Sequence, residues 1–265
     1  QRHGWLILDK PLGLTSTQAL GKVRWLLNAD KAGHGGTLDP LASGLLPLAF
    51  GEATKTVSWA MDGLKTYQFT VQWGSETNTD DLEGIIVSTS NYFEKTSDNS
   101  DIPRNTENAA LQQNLAAVLG EFHGAVQQIP PAYSAIKVDG ERAYELARAG
   151  EEVALAARTV QIDRLTVVDW PSPSQTTFEV VCGKGTYVRS LARDLGRATG
   201  WLGHVVMLRR TAVGPFREAD MISLEKLTEL CQSAASESSL TGLLRPIETV
   251  LDGIPALAVD GDQAQ

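Results

Sequence analysis

Cysteine is nearly absent. Cys182 and Cys231 are the two in 265 residues, and their wide separation excludes a disulfide scaffold and suits a reducing compartment. No apolar run approaches the roughly 20 residues that a membrane helix needs. The opening stretch offers only Trp5-Leu6-Ile7-Leu8, too short for a signal peptide. These absences point to a cytoplasmic protein with no membrane partner. Histidine is scarce and scattered: His3, His34, His123 and His204 share no metal-ligand spacing with each other or with the cysteines, so no metal is expected. No GxGxxG follows a strand and no GxxxxGK[ST] is present, so no nucleotide cofactor is expected either. There is no fixed-period repeat and no heptad seam, which leaves a monomer as the default. What remains, with 42% hydrophobic and 21% charged residues, is a globular chain of one large domain or two.

The net charge of −9 argues at first against a polyanionic partner, but the charge is unevenly spread. Residues 183–217 hold seven basic residues against the single acid Asp194, a net of +6. Residues 76–107 carry a net of −6 and residues 218–265 a net of −7. A ligand feels the field within about 8 Å at physiological salt rather than the sum over the chain. One basic face on an acidic protein is therefore expected.

Strand and helix signals interleave irregularly. Thr15-Ser16-Thr17 can cap a helix in which Leu20, Val23, Leu26 and Leu27 recur at helical spacing. The Gly-rich stretch Gly33 to Pro40 ends as a helix start would, with Asp39 as cap and Pro40 in the first turn. Lys65 to Trp73 alternates cleanly and reads as a strand with Tyr67, Phe69, Val71 and Trp73 on one face. Ser88 to Asn108 is polar and poor in aliphatics, which predicts a mobile surface insertion. Helical periodicity returns at Ala109 to Leu119, a short strand is expected at Tyr133 to Val138, and a helix from Glu141 to Ala149 closes on Gly150. Strands follow at about Val160 to Trp170, Thr177 to Cys182 and His204 to Val213, with helices at Tyr187 to Thr199 and Ser223 to Cys231. This order predicts an α+β fold with a mixed sheet.

Few residues stand out chemically, and each has two readings. Asp39 is either a helix cap or a carboxylate displayed on a glycine-rich loop, and its position does not separate the two. Tyr67 is either core or a phenol reaching a cleft from a strand end. Arg189, Arg193 and Arg197 line one helical face at i, i+4 and i+8, either as a solvated face or as a phosphate site, the latter favoured by the Gly183-Lys184-Gly185-Thr186 loop before them and by Arg209-Arg210. His34, between glycines, is a turn residue or a ring that stacks on a base.

Taken together, these segments resemble the TruB family of tRNA pseudouridine synthases. Leu8-Asp9-Lys10-Pro11 with Gly13 and Ser16 is similar to the family's N-terminal motif. Lys31 to Gly44 is similar to its catalytic motif, which usually has Thr where this chain has Gly35 and Ser43. Lys65-Thr66-Tyr67, Pro131 to Lys137, Lys184 to Arg189 and Met207 to Arg210 match further blocks in the right order. The similarity runs from about Gly4 to Leu251, with Ser88–Asn108 as the main unmatched insert.

The resemblance implies a pseudouridine-synthase fold: a bent, mostly antiparallel mixed sheet with flanking helices and a central cleft, occupying residues 1–250. It implies a thumb from about Gln127 to Arg158, and at 251–265 the start of a C-terminal PUA module that is otherwise largely missing. The implied activity is isomerisation of uridine 55 in the T-loop of tRNA, without cofactor. Asp39 would act on the target ribose, either attacking C1′ or removing the 2′ proton to give a glycal. Tyr67 would stack on the base and remove the C5 proton, and Arg189 would pair with Asp39 and keep it ionised. Lys10 would support the pocket, Tyr187 and Leu208 would line it, and His34 would fill the space left in the T-loop by the extruded bases. The basic residues Lys184, Arg193 and Arg209 would contact the RNA. The alternative reading is a non-catalytic tRNA-binding or chaperone module of the same fold.

Overall fold

A computed structural model of the chain describes residues 2–90, 104–138, 140–151, 153–233 and 242–251. The elements in chain order begin with β1 (Gly4–Lys10), α1 (Ser16–Leu26), β2 (Ala32–His34), β3 (Ala42–Phe50), α2 (Val57–Asp62), β4 (Lys65–Trp73), β5 (Ser75–Thr77) and β6 (Ile86–Thr89). Then come α3 (Arg104–Leu119), β7 (Gly124–Gln128), β8 (Lys137–Val138), β9 (Glu141–Arg142), α4 (Ala143–Arg148), β10 (Arg158–Ser172) and β11 (Gln175–Cys182). The chain continues with α5 (Val188–Thr199), β12 (Gly203–Val213), β13 (Phe216–Arg217), β14 (Ile222–Ser223) and α6 (Leu224–Gln232). This is the mixed α+β architecture expected. It divides into two compact units, Gln1–Gly63 with Ala212–Gln265, and Leu64–Thr211. No helix among the described residues is long and apolar enough to cross a membrane.

In the first unit β1 is central, antiparallel to β3 and parallel to β14. Trp5-Leu6-Ile7-Leu8 is buried throughout, as a strand covered on both faces must be. The apolar run Ala42 to Phe50 has the same cause: it is the strand β3, flanked by β1 on one side and β2 on the other. Trp5, Ile7, Leu45, Ala49, Val213 and Phe216 form the core here. Helix α1 starts as its sequence predicts, with Thr15 in a capping box with Gln18, and it buries Ala19 and Val23.

In the second unit the strand order is β12-β4-β11-β10-β7. The alternation of β4 places Phe69, Val71 and Trp73 in the core, where Phe69 stacks on Phe178 at 5.2 Å and Trp73 meets Trp201 edge-on at 5.4 Å. Tyr67, on the same face but nearer the strand's start, is only half-buried. Strand β7 pairs with β10 through Gln128↔Arg158, so residues 129–157 leave and return at adjacent points of one sheet edge. Within that excursion the expected strand at Tyr133 to Val138 shrinks to β8. Glu141 and Arg142, expected to be helical, instead pair with β8 around Gly140, leaving α4 only six residues. The polar stretch 88–108 begins as the end of β6 and ends in the first turns of α3; its middle, 91–103, lies outside the described residues, as does the 252–265 tail.

Candidate active site

The loop that joins β2 to β3 carries Asp39, and its conformation is set by neighbours on both sides. Gly35 N–H donates to the Pro47 carbonyl at 2.8 Å. Leu38 is buried; its N–H donates to Ser16 Oγ at 2.7 Å, and the same hydroxyl donates to the Leu38 carbonyl at 3.1 Å. On the other side the Asp39 carbonyl accepts from Ala42 N–H at 3.0 Å, and the Pro40 carbonyl accepts from Gly13 N–H at 2.8 Å. The helix expected to begin at Pro40 does not form. Asp39 to Ala42 is a β-turn with proline at its second position, a place that suits the fixed φ of proline as well as a helix start does. Asp39 is half-buried at the head of this turn.

Two glycines explain the loop. Gly36 has φ +122°, a region closed to most side chains. At Gly35 an added Cβ would lie 3.0 Å from Ala60 Cβ, 3.4 Å from Pro47 and 3.5 Å from the Trp5 ring. The threonine common in the resembled motif would need these neighbours to give way. His34, half-buried, ends β2. Lys10 is fully buried at the end of β1, its Nζ donating to the Leu14 and Pro11 carbonyls at 2.7 and 3.0 Å, so it braces the loop that leads into α1.

The remaining candidates belong to the second unit. Tyr67 faces Val180 across β4 and β11, and the buried Arg210 guanidinium sits 6.0 Å from its ring centroid. Leu208 is buried and Arg209 half-buried on β12. Lys184 is exposed in the turn before α5. Tyr187 immediately precedes that helix, its backbone gripped by the buried Gln128, which accepts from Tyr187 N–H at 2.8 Å and donates to the Tyr187 carbonyl at 3.1 Å.

Helix α5 departs most from expectation. Arg189 and Arg193 are buried rather than solvated, and acids from the segment after β4 meet all three arginines of the row, the exposed Arg197 included. Arg197 makes a two-pronged contact with Glu76 at 2.8 and 2.9 Å. Arg193, expected to contact RNA, is buried, with Nη1 on Asp80 at 3.0 Å, Nε on Asp194 at 2.9 Å and Nη2 on the Ile129 carbonyl at 2.8 Å. Arg189, also buried, donates to the Thr79 and Tyr133 carbonyls at 3.0 Å each and lies 3.7 Å from Asp81. Much of the +6 of residues 183–217 is thus answered by the first acids of the −6 stretch. Burial pushes the Asp80 carboxyl up to about 6 despite Arg193 and Arg189, and raises that of Asp194.

Asp80, Asp81 and Gln128 are site-building residues that sequence reasoning missed. The signal was there in Thr77-Asn78-Thr79-Asp80-Asp81 and Gly84, a cluster of turn-forming polar residues straight after a strand. In the structure Thr77 and Thr79 hydroxyls, together with Glu83 N–H, close the turn around Asp81. Asp80 takes φ +62° within it. Among the described residues no group of His, Cys, Asp and Glu is arranged to hold a metal ion.

The fold is that of the pseudouridine synthases. Over 95% of its length the chain superposes on a chain of the Cbf5-Nop10-Gar1 complex, with TM-score 0.67 and 28% identity, covering 62% of that chain. A second likeness, over 94% of the length, is to a structure of an H/ACA RNP bound to a substrate RNA containing 2′-deoxyuridine, with TM-score 0.65 and 26% identity, covering 61% of that chain. The chain belongs to the TruB family: the model for the N-terminal domain of TruB family pseudouridylate synthases matches residues 24–188, and that for the tRNA pseudouridylate synthase B C-terminal domain matches 189–252. It is 58% identical to the tRNA pseudouridine synthase B of Bradyrhizobium diazoefficiens, covering 97% of this chain and 70% of that protein. For the protein of the same name in Rhodopseudomonas palustris the values are 55%, 97% and 66%.

Proposed function

We propose that the protein converts uridine 55 in the T-loop of cytoplasmic tRNA to pseudouridine, with Asp39 as the essential group. The reaction breaks N1–C1′, turns the uracil and joins C5 to C1′. C5 loses a proton and N1 gains one, so atoms and electrons balance without any co-reactant. The target base must first leave its stack, at a cost of a few kcal/mol. Stacking against an aromatic ring offsets roughly 1–3 kcal/mol of this. Tyr67 supplies that ring and takes the C5 proton. Asp39 acts on the ribose. Arg189 keeps that carboxylate charged and oriented, since an opposite charge within about 4–6 Å favours the ionised form. Lys10, Tyr187 and Leu208 shape the pocket, His34 occupies the T-loop space vacated by the base, and Lys184 and Arg209 meet the RNA backbone. Arg193 has no such role in this reading, because its guanidinium is engaged inside the protein.

The observation that carries the reading is the Asp39 turn. A carboxylate whose own carbonyl and whose neighbours Leu38 and Pro40 are all hydrogen-bonded is pre-positioned, which is what chemistry on a flipped nucleotide requires. The test is tritium release from C5-tritiated tRNA. Wild-type protein should release one tritium per tRNA, nothing from a transcript with cytidine at position 55, and Asp39→Asn should be slower by about 1,000-fold or more. Binding of tRNA without release by the wild type would establish the non-catalytic alternative.

A further inference from the structure

We infer that Arg193 is a positioning residue for Arg189: it fixes the two segments whose backbone carbonyls aim the Arg189 guanidinium. This rests on the role proposed for Arg189. The two arginines stand one helical turn apart on α5, and their forks span the same pair of segments. Arg189 reaches the Thr79 carbonyl in the turn after β5 and the Tyr133 carbonyl in the excursion between β7 and β10, both at 3.0 Å. Arg193 reaches the adjoining Asp80 carboxylate at 3.0 Å and, at the root of the same excursion, the Ile129 carbonyl at 2.8 Å. Ser190, between them on the helix, donates to Ile129 as well, at 2.9 Å. Any shift of the Asp80 turn or of the excursion's root therefore moves an acceptor of Arg189.

The chemistry of the Arg193 contacts fits positioning better than stability or RNA binding. Both partners are buried, and burial outweighs pairing at Asp80, so the pair adds little to stability; buried pairs of this kind are better at specifying one geometry. Asp80 holds a left-handed conformation that costs a non-glycine residue energy, and the ion pair keeps it there. Each of the three nitrogens of the Arg193 guanidinium already donates inside the protein, and the side chain is buried, which keeps the group from a phosphate at the surface. Lysine retains the charge but lacks the planar fork whose separate nitrogens hold Asp80, Asp194 and Ile129 in one fixed arrangement.

The test uses Arg193→Lys in single-turnover tritium release at saturating enzyme, alongside tRNA affinity by filter binding. The rate should fall about 10- to 100-fold, as for a catalytic group displaced by a fraction of an ångström to one ångström, while Kd stays within about twofold of wild type. Parallel loss of affinity and rate would make Arg193 an RNA contact; an unchanged rate with a lowered Tm would make it a stability element. Either result overturns the inference. Should Arg193→Lys fail to fold, the double variant Asp80→Asn/Arg193→Gln, which keeps a neutral hydrogen-bonded pair, is read in the same way. Arg189→Lys serves as the control: if it leaves the rate intact, the role of Arg189 falls, and that single variant separates the two failures.

Discussion

The turn that presents Asp39 and the helix that presents Arg189 are secured by opposite means. The bonds that hold the backbone of the Asp39 turn are neutral: amides, carbonyls and one serine hydroxyl, with Ala60, Pro47 and Trp5 packed close on position 35. Around Arg189 they are charged, with three arginines of α5 answered by Glu76, Asp80 and Asp81. Neutral contacts depend on shape and change little with salt or pH, whereas charged ones respond to both. One molecule thus holds one candidate catalytic residue by fit and another by charge.

Substitutions can break this contrast. The largest effect is expected at Gly35, where threonine would force the Ala60, Pro47 and Trp5 contacts apart. Overpacking of this kind costs about 1–3 kcal/mol. A urea titration of Gly35→Thr should show that loss undiminished by salt, and Ala60→Gly in the same chain should recover most of it.

Next in size is a pH effect at Asp80. The unfolded chain releases this proton near 3.8 and the folded protein only at about 6. The folded state therefore binds more protons between those values. Asp80's favourable contribution is complete below about 4 and disappears as pH rises through about 6. Relative to wild type, Asp80→Asn should gain in Tm between pH 4 and pH 7 by calorimetry, whereas no such slope is expected for Gly35→Thr.

The smallest effect belongs to Glu76→Gln. The Arg197 side chain is 57% exposed, so losing the pair should cost no more than about 1 kcal/mol at low salt. That difference should fade in 0.5 M salt, which a pair of denaturant curves would reveal.

How far these features were legible in the sequence follows from the range of the forces involved. Helix α1, with its Thr15 cap, and the alternating strand β4 are written in residues a few positions apart, and both form where their patterns place them. The turn at Asp39 was ambiguous because proline satisfies two local conformations. Tertiary contacts decide between them, through Ser16 on Leu38 and Gly13 on Pro40. The occupation of Arg193 could not be read at all. Its partner Asp80 lies 113 residues away, and a basic stretch looks the same whether its counter-charges are phosphates or the protein's own carboxylates. The order of motifs pointed to the family, while the internal neutralisation of α5 emerged only from the fold.

The adjacency of Gln128 and Arg158 has an evolutionary consequence. Because the two face each other in the ladder, the intervening 129–157 is a graft on a hairpin that a tight turn could otherwise close. Its length and composition can drift without disturbing the register beneath. The Ile129 and Tyr133 carbonyls, committed to α5, tether it near the base. The outer part is therefore the stretch of this sheet edge most open to insertion or deletion, while the paired strands beneath stay as they are.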